Sequence, residues 1–304
     1  MITRRQFGKG LLGTTLTGLL AGVYGGYVEP AVRLRVQRWP VQPASWPRGR
    51  KLRLVMLADL HAGGPNMGED RIAEAVEVAN AQGGDAILLM GDYRASHRFQ
   101  TRVVSIERTA ALLAGLKAPL GVHAILGNHD WWDHIRQTGL TEGQTRTQAV
   151  LEASGIPVLA NRAVRIGTGE AGFWLMGLDS QAALQLVRHN GNDWVGKSDF
   201  AGALAQVTDR APVVLLAHEP DIFDKLPDQD RGGRIALTLS GHTHGGQVRF
   251  GPWVPVVPSQ FGSRFAYGSI REAGRDLVVS GGLGCSGLPV RFGVPPEITV
   301  VELS

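Results

Sequence analysis

The sequence predicts an α/β protein built as a four-layer α/β/β/α sandwich of two mixed sheets. In the first half, apolar runs at 52–58, 86–90 and 122–126 alternate with helical apolar spacing at 70–81 and 101–116. Such alternation implies parallel strands joined by right-handed crossovers. In the second half, apolar runs follow one another with fewer helical patterns, which predicts a second mixed sheet packed on the first, with helices outside.

Each apolar run is rich in β-branched or aliphatic residues and is followed by glycine or a polar residue, as is typical of buried strands. The helical pattern at 70–81 places Ile72, Val76 and Ala79 on one face, and Gly83-Gly84 ends it. The pattern at 101–116 is amphipathic in the same way. The strands predicted in the second half are 173–178, 213–217, 235–240, 277–280 and 298–302.

Basic charge is concentrated at the N-terminus. Residues 1–53 contain ten Lys or Arg and one acid, whereas residues 54–304 contain 21 basic and 26 acidic residues. The acidic remainder lacks the basic face that a nucleic-acid-binding domain needs, so no nucleic-acid partner is predicted. The single cysteine, Cys285, excludes an internal disulfide and gives no indication of the redox compartment.

Residues 1–29 have the pattern of a targeting segment. Arg4-Arg5 precede a charge-free stretch, 10–28, in an arrangement that resembles a bacterial twin-arginine export signal. The stretch is just long enough to span a bilayer and lacks an Ala-x-Ala cleavage site. We therefore expect export and an uncleaved inner-membrane anchor, with the domain facing the periplasm or cell wall. Basic residues lie on both flanks, so a cytoplasm-facing orientation stays open.

The stretch 30–51 contains several basic residues and no Asp or Glu, and two interpretations of it stay open. They form either a juxtamembrane linker that lies against an anionic membrane surface or an edge strand. One globular domain is expected to extend from 52 to 304, since both halves contribute to one site.

Polar motifs follow the apolar runs of both halves. They are Asp59-Leu60-His61, Gly91-Asp92, Gly127-Asn128-His129-Asp130, Ala217-His218-Glu219 and Gly241-His242-Thr243-His244. Because strand ends converge at one edge of a sheet, we expect these groups to meet. Nitrogen and oxygen ligands without thiolate favour Mn²⁺, with Fe or Zn²⁺ as alternatives, over Ca²⁺ or Mg²⁺. Two ions about 3.5–4 Å apart would clamp a phosphoester substrate and generate a hydroxide nucleophile for in-line attack.

In this order, the motifs resemble those of the calcineurin-like metallophosphoesterases over residues 52–304. The resemblance implies a first ion held by Asp59, His61, Asp92 and His244. It implies a second ion held by Asp92, Asn128, His218 and His242, with Asp92 bridging. It also implies that His129 lies outside the metals, where it stabilises the transition state or protonates the leaving oxygen. Asp130 then either orients His129 in catalysis or caps the following turn.

Two further stretches, 240–247 and 284–297, resemble the exported or membrane-anchored YkuE/YaeI-like bacterial phosphodiesterases. Twin-arginine signals occur in that branch too. Cys285 stands where a small hydroxyl residue is expected, which is a mild departure. The glycine-rich stretch is expected to form a rim loop near the phosphate, with Arg291 either a substrate anion contact or a surface charge.

Three hypotheses of function stay open. The first is a metal-dependent phosphodiesterase or phosphomonoesterase near the membrane surface. The second, by resemblance, is a UDP-2,3-diacylglucosamine pyrophosphate hydrolase of lipid A synthesis, whose lipid-linked substrate requires a cytoplasmic face. The third is a non-catalytic wall- or membrane-binding protein. A dinucleotide site at the G-x-G-x-x-G of 282–287 fails its context, because Pro289 follows and no helical pattern does. The oligomeric state is left open.

Overall fold

The computed structural model describes residues 4–95, 97, 99–169, 172–187 and 194–304, with side chains from residue 14 onward. The strands are β1 (Arg35–Val41), β2 (Leu52–Leu57), β3 (Ala86–Leu89), β4 (Val122–Ala124), β5 (Arg162–Ile166), β6 (Phe173–Gly177), β7 (Val213–Leu216), β8 (Ile235–Ser240), β9 (Gly268–Glu272), β10 (Arg275–Val279) and β11 (Glu297–Leu303). The α-helices are α1 (Arg4–Val23), α2 (Glu69–Asn80), α3 (Ile106–Leu113), α4 (Asn128–Thr138), α5 (Arg146–Ala153), α6 (Phe200–Leu204) and α7 (Ile222–Gln229).

The first sheet has the strand order β1-β11-β2-β3-β4. β2, β3 and β4 are parallel, with Leu54 opposite Ala86 and Ile87 opposite Val122. β11 is antiparallel to β2 and parallel to β1. Since the three parallel strands are joined through helices, their carboxyl ends lie at one edge of the sheet. β1 closes the other side, so residues 35–41 form an edge strand of this sheet.

The second sheet has the order β5-β6-β7-β8-β10-β9. Its four central strands are parallel, and its two outer strands, β5 and β9, are antiparallel to their neighbours. Both sheets are therefore mixed, as predicted.

Three apolar clusters separate the four layers. Leu54 and Met56 of β2 pack with Leu175 of β6 and Leu237 of β8 between the two sheets. The alternate residues of β2 face the other way, onto α2, α3 and α5. On the outer face of the second sheet, Phe223 and Leu226 of α7 belong to one apolar cluster with Met176 of β6 and Leu215 of β7. Because β2 is apolar on both faces, it belongs in the interior of a sandwich, which confirms the predicted layering.

The helix predicted at 101–116 is shorter in the structure. α3 begins at Ile106 because the Ser105 hydroxyl accepts a hydrogen bond from the Arg108 backbone N–H and caps the first turn. The helix predicted at 70–81 is confirmed as α2. α4 was not predicted as a helix, although it begins inside the G-N-H-D motif at Asn128.

The N-terminal helix α1 continues into a π-helical segment, Tyr24–Val32. Within the described part of the chain, no helix is both long enough and apolar enough to cross a membrane. The predicted anchor, export signal and localisation remain predictions.

Candidate metal centre

The polar motifs of the two halves meet at the carboxyl ends of the parallel strands. The motif of Asp59 follows β2, that of Asp92 follows β3, and Asn128 begins α4 after β4. From the second sheet, His218 follows β7 and His242 follows β8. All of these side chains are buried, with exposed fractions of 0 to 8%. The sandwich thus brings groups from both sheets to one site.

The backbone is bent sharply at this site. Five of the predicted ligand residues have positive φ angles, which non-glycine residues adopt at a cost of about 1–3 kcal/mol each. They are Asp59 (52°), His61 (41°), Asp92 (58°), His242 (68°) and His244 (53°). This bend turns each side chain away from the line of its strand and toward the shared site. Strain concentrated in this way is typical of a functional centre.

Two groups of side chains have the spacing of metal ligands. The ligand atoms of Asp59, His61 and His244 lie within 4.8 Å of one another, and so do those of Asp92, His218 and His242. Each group contains three of the four residues of one predicted ligand set. Nε2 of His61 lies 3.2 Å from Nε2 of His244.

Asp92 lies between the two groups. Its Oδ2 atom is 3.2 Å from Nε2 of His218 and 3.5 Å from Nε2 of His61. A carboxylate in this position can offer an oxygen to an ion in either group, as the predicted bridge requires.

Unsatisfied buried atoms indicate that the site fits metal ions. Oδ1 of Asn128 and Nε2 of His242 are buried and form no hydrogen bond, and Nε2 of His218 faces the Asp92 carboxylate at 3.2 Å. Buried polar atoms left without a partner are costly, about 1–3 kcal/mol each. These three atoms belong to the predicted ligand set of the second ion, and a divalent cation would satisfy all of them.

Backbone carbonyls orient two of the imidazole rings. Nδ1 of His61 lies 3.3 Å from the Arg94 carbonyl oxygen, and Nδ1 of His218 lies 2.6 Å from that of Met90. Because a carbonyl only accepts, Nδ1 is the protonated nitrogen in each ring. Nε2 is then left free to bind a cation, which is the arrangement usual for metal-bound histidines.

Burial and neighbouring charges shift the pKa values of the buried Asp and His side chains at the site. Burial raises the pKa of Asp59 to about 7. Burial also raises the pKa of Asp92, but the nearby His218 and His129 outweigh it and hold this pKa well below the usual value. Burial lowers the pKa of His218, and Asp92 and Asp59 reverse this effect and raise it well above the usual value. Burial lowers the pKa of His61 and His242 to about 3. The protein alone therefore stabilises a proton on His218 beside an ionised Asp92, and a cation would replace that proton.

His129 lies at the mouth of the site. Its ring packs edge-on against His61 at 4.9 Å and lies tilted against Trp132 at 4.7 Å. Its ligand atom also lies within 4.8 Å of those of His61 and Asp92. Burial lowers the pKa of His129, opposed by Asp92. The ring is thus within reach of a group bound at the metal centre.

Asp130 faces backbone amides. Its Oδ2 accepts hydrogen bonds from the backbone N–H groups of Gly127 (2.8 Å) and Asp92 (2.9 Å), and its Oδ1 accepts one from Tyr93 (3.2 Å). The carboxylate caps α4 and joins the turn after β3 to the turn after β4. Of the two predicted roles, this geometry favours the cap, since no hydrogen bond connects Asp130 to the ring of His129 in the described structure.

The predicted rim position of Arg291 is wrong. Its side chain has no exposed surface. The guanidinium donates to the carbonyl oxygens of Gly281, Gly284 and Val294, and its Nη2 lies 3.2 Å from Nδ1 of His244. Arg291 therefore packs behind His244, and its donors are engaged by the loop that covers them rather than presented to a substrate anion.

Sequence reasoning gave no role to two residues beside the site, Trp194 and Gln247. Trp194 packs edge-on against His242 at 5.4 Å, and Gln247 joins the segment after β8 to the 286–288 loop. Gln247 directly follows the Gly-His-Thr-His-Gly-Gly stretch, so its position in the sequence could have indicated it. For Trp194, no pattern in the sequence distinguishes it from a core or surface aromatic residue.

The fold and the site define a metal-dependent phosphoester hydrolase. The family model of the calcineurin-like phosphoesterases matches residues 52–246, and the chain belongs to this family.

Two relatives that match this chain over nearly their full length are also named as phosphoesterases. The chain is 29% identical to the uncharacterized metallophosphoesterase YkuE of Bacillus subtilis (strain 168), over 99% of this chain and 98% of that protein. It is 29% identical to phosphodiesterase YaeI of Escherichia coli (strain K12), over 100% of both chains. A solved dimetal phosphatase from Danio rerio superposes with a TM-score of 0.47 and 12% identity, over 76% of this chain and 88% of that one.

Proposed function

We propose that the protein is a dinuclear metal-dependent phosphodiesterase that uses Mn²⁺. The observation that carries the proposal is the position of Asp92 between two groups of ligand atoms. Asp59, His61 and His244 would hold one ion, Asn128, His218 and His242 the other, and Asp92 both. Two such ions would polarise the phosphoryl oxygens and supply a nucleophile derived from water at neutral pH. The donor set of nitrogen and oxygen atoms supports Mn²⁺, with Fe and Zn²⁺ as the competing choices.

The chain's own residues then position the ester and move a proton. In hydrolysis, the hydroxyl of water forms a bond to phosphorus, the bond from phosphorus to the leaving oxygen breaks, and that oxygen gains a proton. His129 lies where it can deliver this proton. An anionic phosphoester beside the ring favours its protonated form, which offsets the lowering of its pKa by burial.

The surroundings of the site favour a diester over a monoester. Two cavities open on it, one lined in part by His244 and the other by Asn128 and His242. Among the described residues that line these cavities there is no Lys or Arg to match the second negative charge of a monoester. Two cavities also provide room for two substituents. The name of the relative YaeI, a phosphodiesterase, supports the same choice.

The test is hydrolysis of bis(p-nitrophenyl) phosphate and p-nitrophenyl phosphate by purified protein supplied with Mn²⁺, Zn²⁺ or Fe²⁺. We expect the diester to give the higher kcat/KM and Mn²⁺ the highest rate. His129→Gln should lower kcat by about 10²–10⁴-fold, the usual contribution of a positioned acid, with KM little changed.

His123→Gln is the matched control, because His123 is buried and its ring contacts the Leu120 carbonyl oxygen away from the site. Its kcat should stay within about threefold of the unmodified protein, because loss of this hydrogen bond lowers the free energy of unfolding and not turnover. Absence of diester hydrolysis with all three metals would refute the proposed function. Full activity of His129→Gln would refute the role of this ring.

A further inference from the structure

A cavity of about 420 Å³ adjoins the metal centre on the side of His244. This volume lies within the roughly 300–1,000 Å³ that is usual for small-molecule sites. Its walls are formed by the segment after β8, by residues 255–258 and by the 286–288 loop. The side chains that form its apolar wall are Val248, Pro255, Val256, Pro258 and Leu288.

The polar groups of this cavity are engaged with the protein itself. The Thr243 hydroxyl donates to the Ala266 carbonyl oxygen at 2.7 Å. The Gln247 amide donates to the carbonyl oxygens of Ser286 and Leu288 and accepts from the Ser286 backbone N–H at 2.8 Å. These bonds hold the 286–288 loop in place, so that the cavity is preformed. They also leave the cavity with an apolar wall, and the described residues that line it include no Asp, Glu, Lys or Arg.

The cavity is continuous with the reacting centre. His244, which lines it, presents Nε2 to Nε2 of His61 at 3.2 Å. Ser286, which lines it too, has its Oγ atom 3.5 Å from Nε2 of His129. A substituent on a phosphorus atom held at the metal centre can therefore enter the cavity directly.

An exposed apolar surface leads away from the cavity. Its rim residues Val256 and Leu288 are 72% and 55% exposed, and Phe250 and Trp253, in the same 248–256 stretch as Val256, are 50% and 60% exposed. Exposed apolar residues concentrated in one stretch are more typical of a binding surface than isolated ones.

Aromatic contacts connect this surface to the N-terminal helix. The rings of Trp253 and Phe250 are 5.6 Å apart, those of Phe250 and Phe292 are 5.0 Å apart, and Phe292 packs edge-on against Tyr24 at 5.7 Å. Tyr24 directly follows α1, whose described outer side chains are exposed and largely apolar. The large apolar ones are Leu16, Leu19, Leu20 and Val23. The apolar path thus runs from the metal centre to the outer surface of α1.

We infer that this cavity binds the apolar chain of the substrate, and that the substrate is a long-chain alkyl or acyl phosphodiester. The inference rests on the proposed phosphodiesterase function, since the chain must be attached to the phosphorus at the metal centre. The cavity supplies burial for several methylene groups, and the exposed path accommodates the rest of a chain that is longer than the cavity.

The test is a homologous series of alkyl p-nitrophenyl phosphodiesters from methyl to octyl, each used as a monomer in solution. Each added methylene that enters the cavity should raise kcat/KM about fourfold, until the cavity is filled. Leu288→Asp should flatten this dependence, which is read as the ratio of kcat/KM for the octyl and methyl esters within the same variant.

Leu140→Asp is the matched control. Leu140 is 59% exposed and lies just beyond α4, so it presents the same side chain at similar exposure away from the cavity. Its variant should keep the full chain-length dependence. If methyl and octyl esters are hydrolysed equally by the unmodified protein, or if Leu288→Asp retains the dependence, the inference is wrong and the proposed function still stands. If the methyl ester is not hydrolysed at all, the proposed function fails.

A binding measurement tests the cavity without turnover. Octyl(methyl)phosphinate, an anion of the same charge whose two P–C bonds cannot be hydrolysed, should bind the metal-loaded protein at least about 30-fold more tightly than dimethylphosphinate, with a more negative heat-capacity change. Equal affinities of the two phosphinates would overturn the inference whether or not the esters are hydrolysed.

Discussion

Asp92→Asn should lower kcat/KM for bis(p-nitrophenyl) phosphate by at least about 10³-fold, equivalent to about 4 kcal/mol in the activation barrier. Asn keeps the shape of the side chain and one oxygen, which can still accept the hydrogen bond from the His129 backbone N–H at 2.9 Å. It cannot offer two anionic oxygens to two cations. We expect the variant to bind fewer ions than the unmodified protein and to lose turnover for that reason.

The matched control for Asp92→Asn is Asp230→Asn. Asp230 is equally buried, and it accepts backbone N–H groups of Arg234 and Ile235 at the end of α7, away from the site. Its variant loses stability without losing metal. The two variants are compared by kcat/KM, by bound metal and by thermal unfolding. Retention of more than a tenth of the activity by a folded Asp92→Asn protein would contradict the bridging role.

Among the substitutions proposed for this protein, Asp130→Ala should lower the free energy of unfolding the most. It removes the acceptor of three backbone N–H groups, those of Gly127, Asp92 and Tyr93, in a buried part of the chain. At about 1–3 kcal/mol for each unsatisfied group, we expect the free energy of unfolding to fall by about 3 kcal/mol or more. The measurement is urea unfolding of the metal-free protein, in which metal binding contributes nothing.

Asp130→Asn separates capping from charge. Its amide oxygen can replace Oδ2 and accept from Gly127 and Asp92, and only the longer bond from Tyr93 is lost. Burial, followed by the nearby Asp92, raises the pKa of Asp130 to about 7, so removal of this charge also relieves an unfavourable interaction. We expect a loss of about 1 kcal/mol or less for this variant. Equal losses for Ala and Asn would show that the cap is not what Asp130 contributes.

The buried strands could be predicted because their sequences are apolar on both faces. The runs that became β3 and β7 contain apolar residues only, and those that became β2 and β8 contain one and two polar residues. Each strand is covered on both sides by other layers. A continuous apolar run is a strong pattern in sequence. The observed bounds of these strands therefore differ little from the predicted ones.

The outer strands could not be predicted in the same way. β1, β5 and β9 read RVQRWPV, RAVRI and GSIRE, and each lies at the edge of a sheet where much of its surface is half-buried or exposed. Mixed polar composition is what an exposed edge requires, and it resembles that of a loop or linker. For this reason the sequence of 30–51 is compatible with both a juxtamembrane linker and an edge strand.

The candidate site could be predicted further than the fold around it. Its side chains directly follow strands, so the topology alone brings Asp59, Asp92 and His242 to one edge. Arg291 is the opposite case. Its burial depends on how residues 281–294 fold over His244, and no local sequence pattern shows this. An arginine is fully buried only where partners accept hydrogen bonds from its guanidinium, as the carbonyl oxygens do here.

The count of bound metal ions tests the central claim most directly. Protein loaded with Mn²⁺, freed of excess ion and measured by elemental analysis, should hold two ions per chain, and Asp92→Asn should hold one or fewer. Asp230→Asn should hold two. One ion or none in the unmodified protein, or two ions retained by Asp92→Asn, would contradict a dinuclear centre bridged by Asp92.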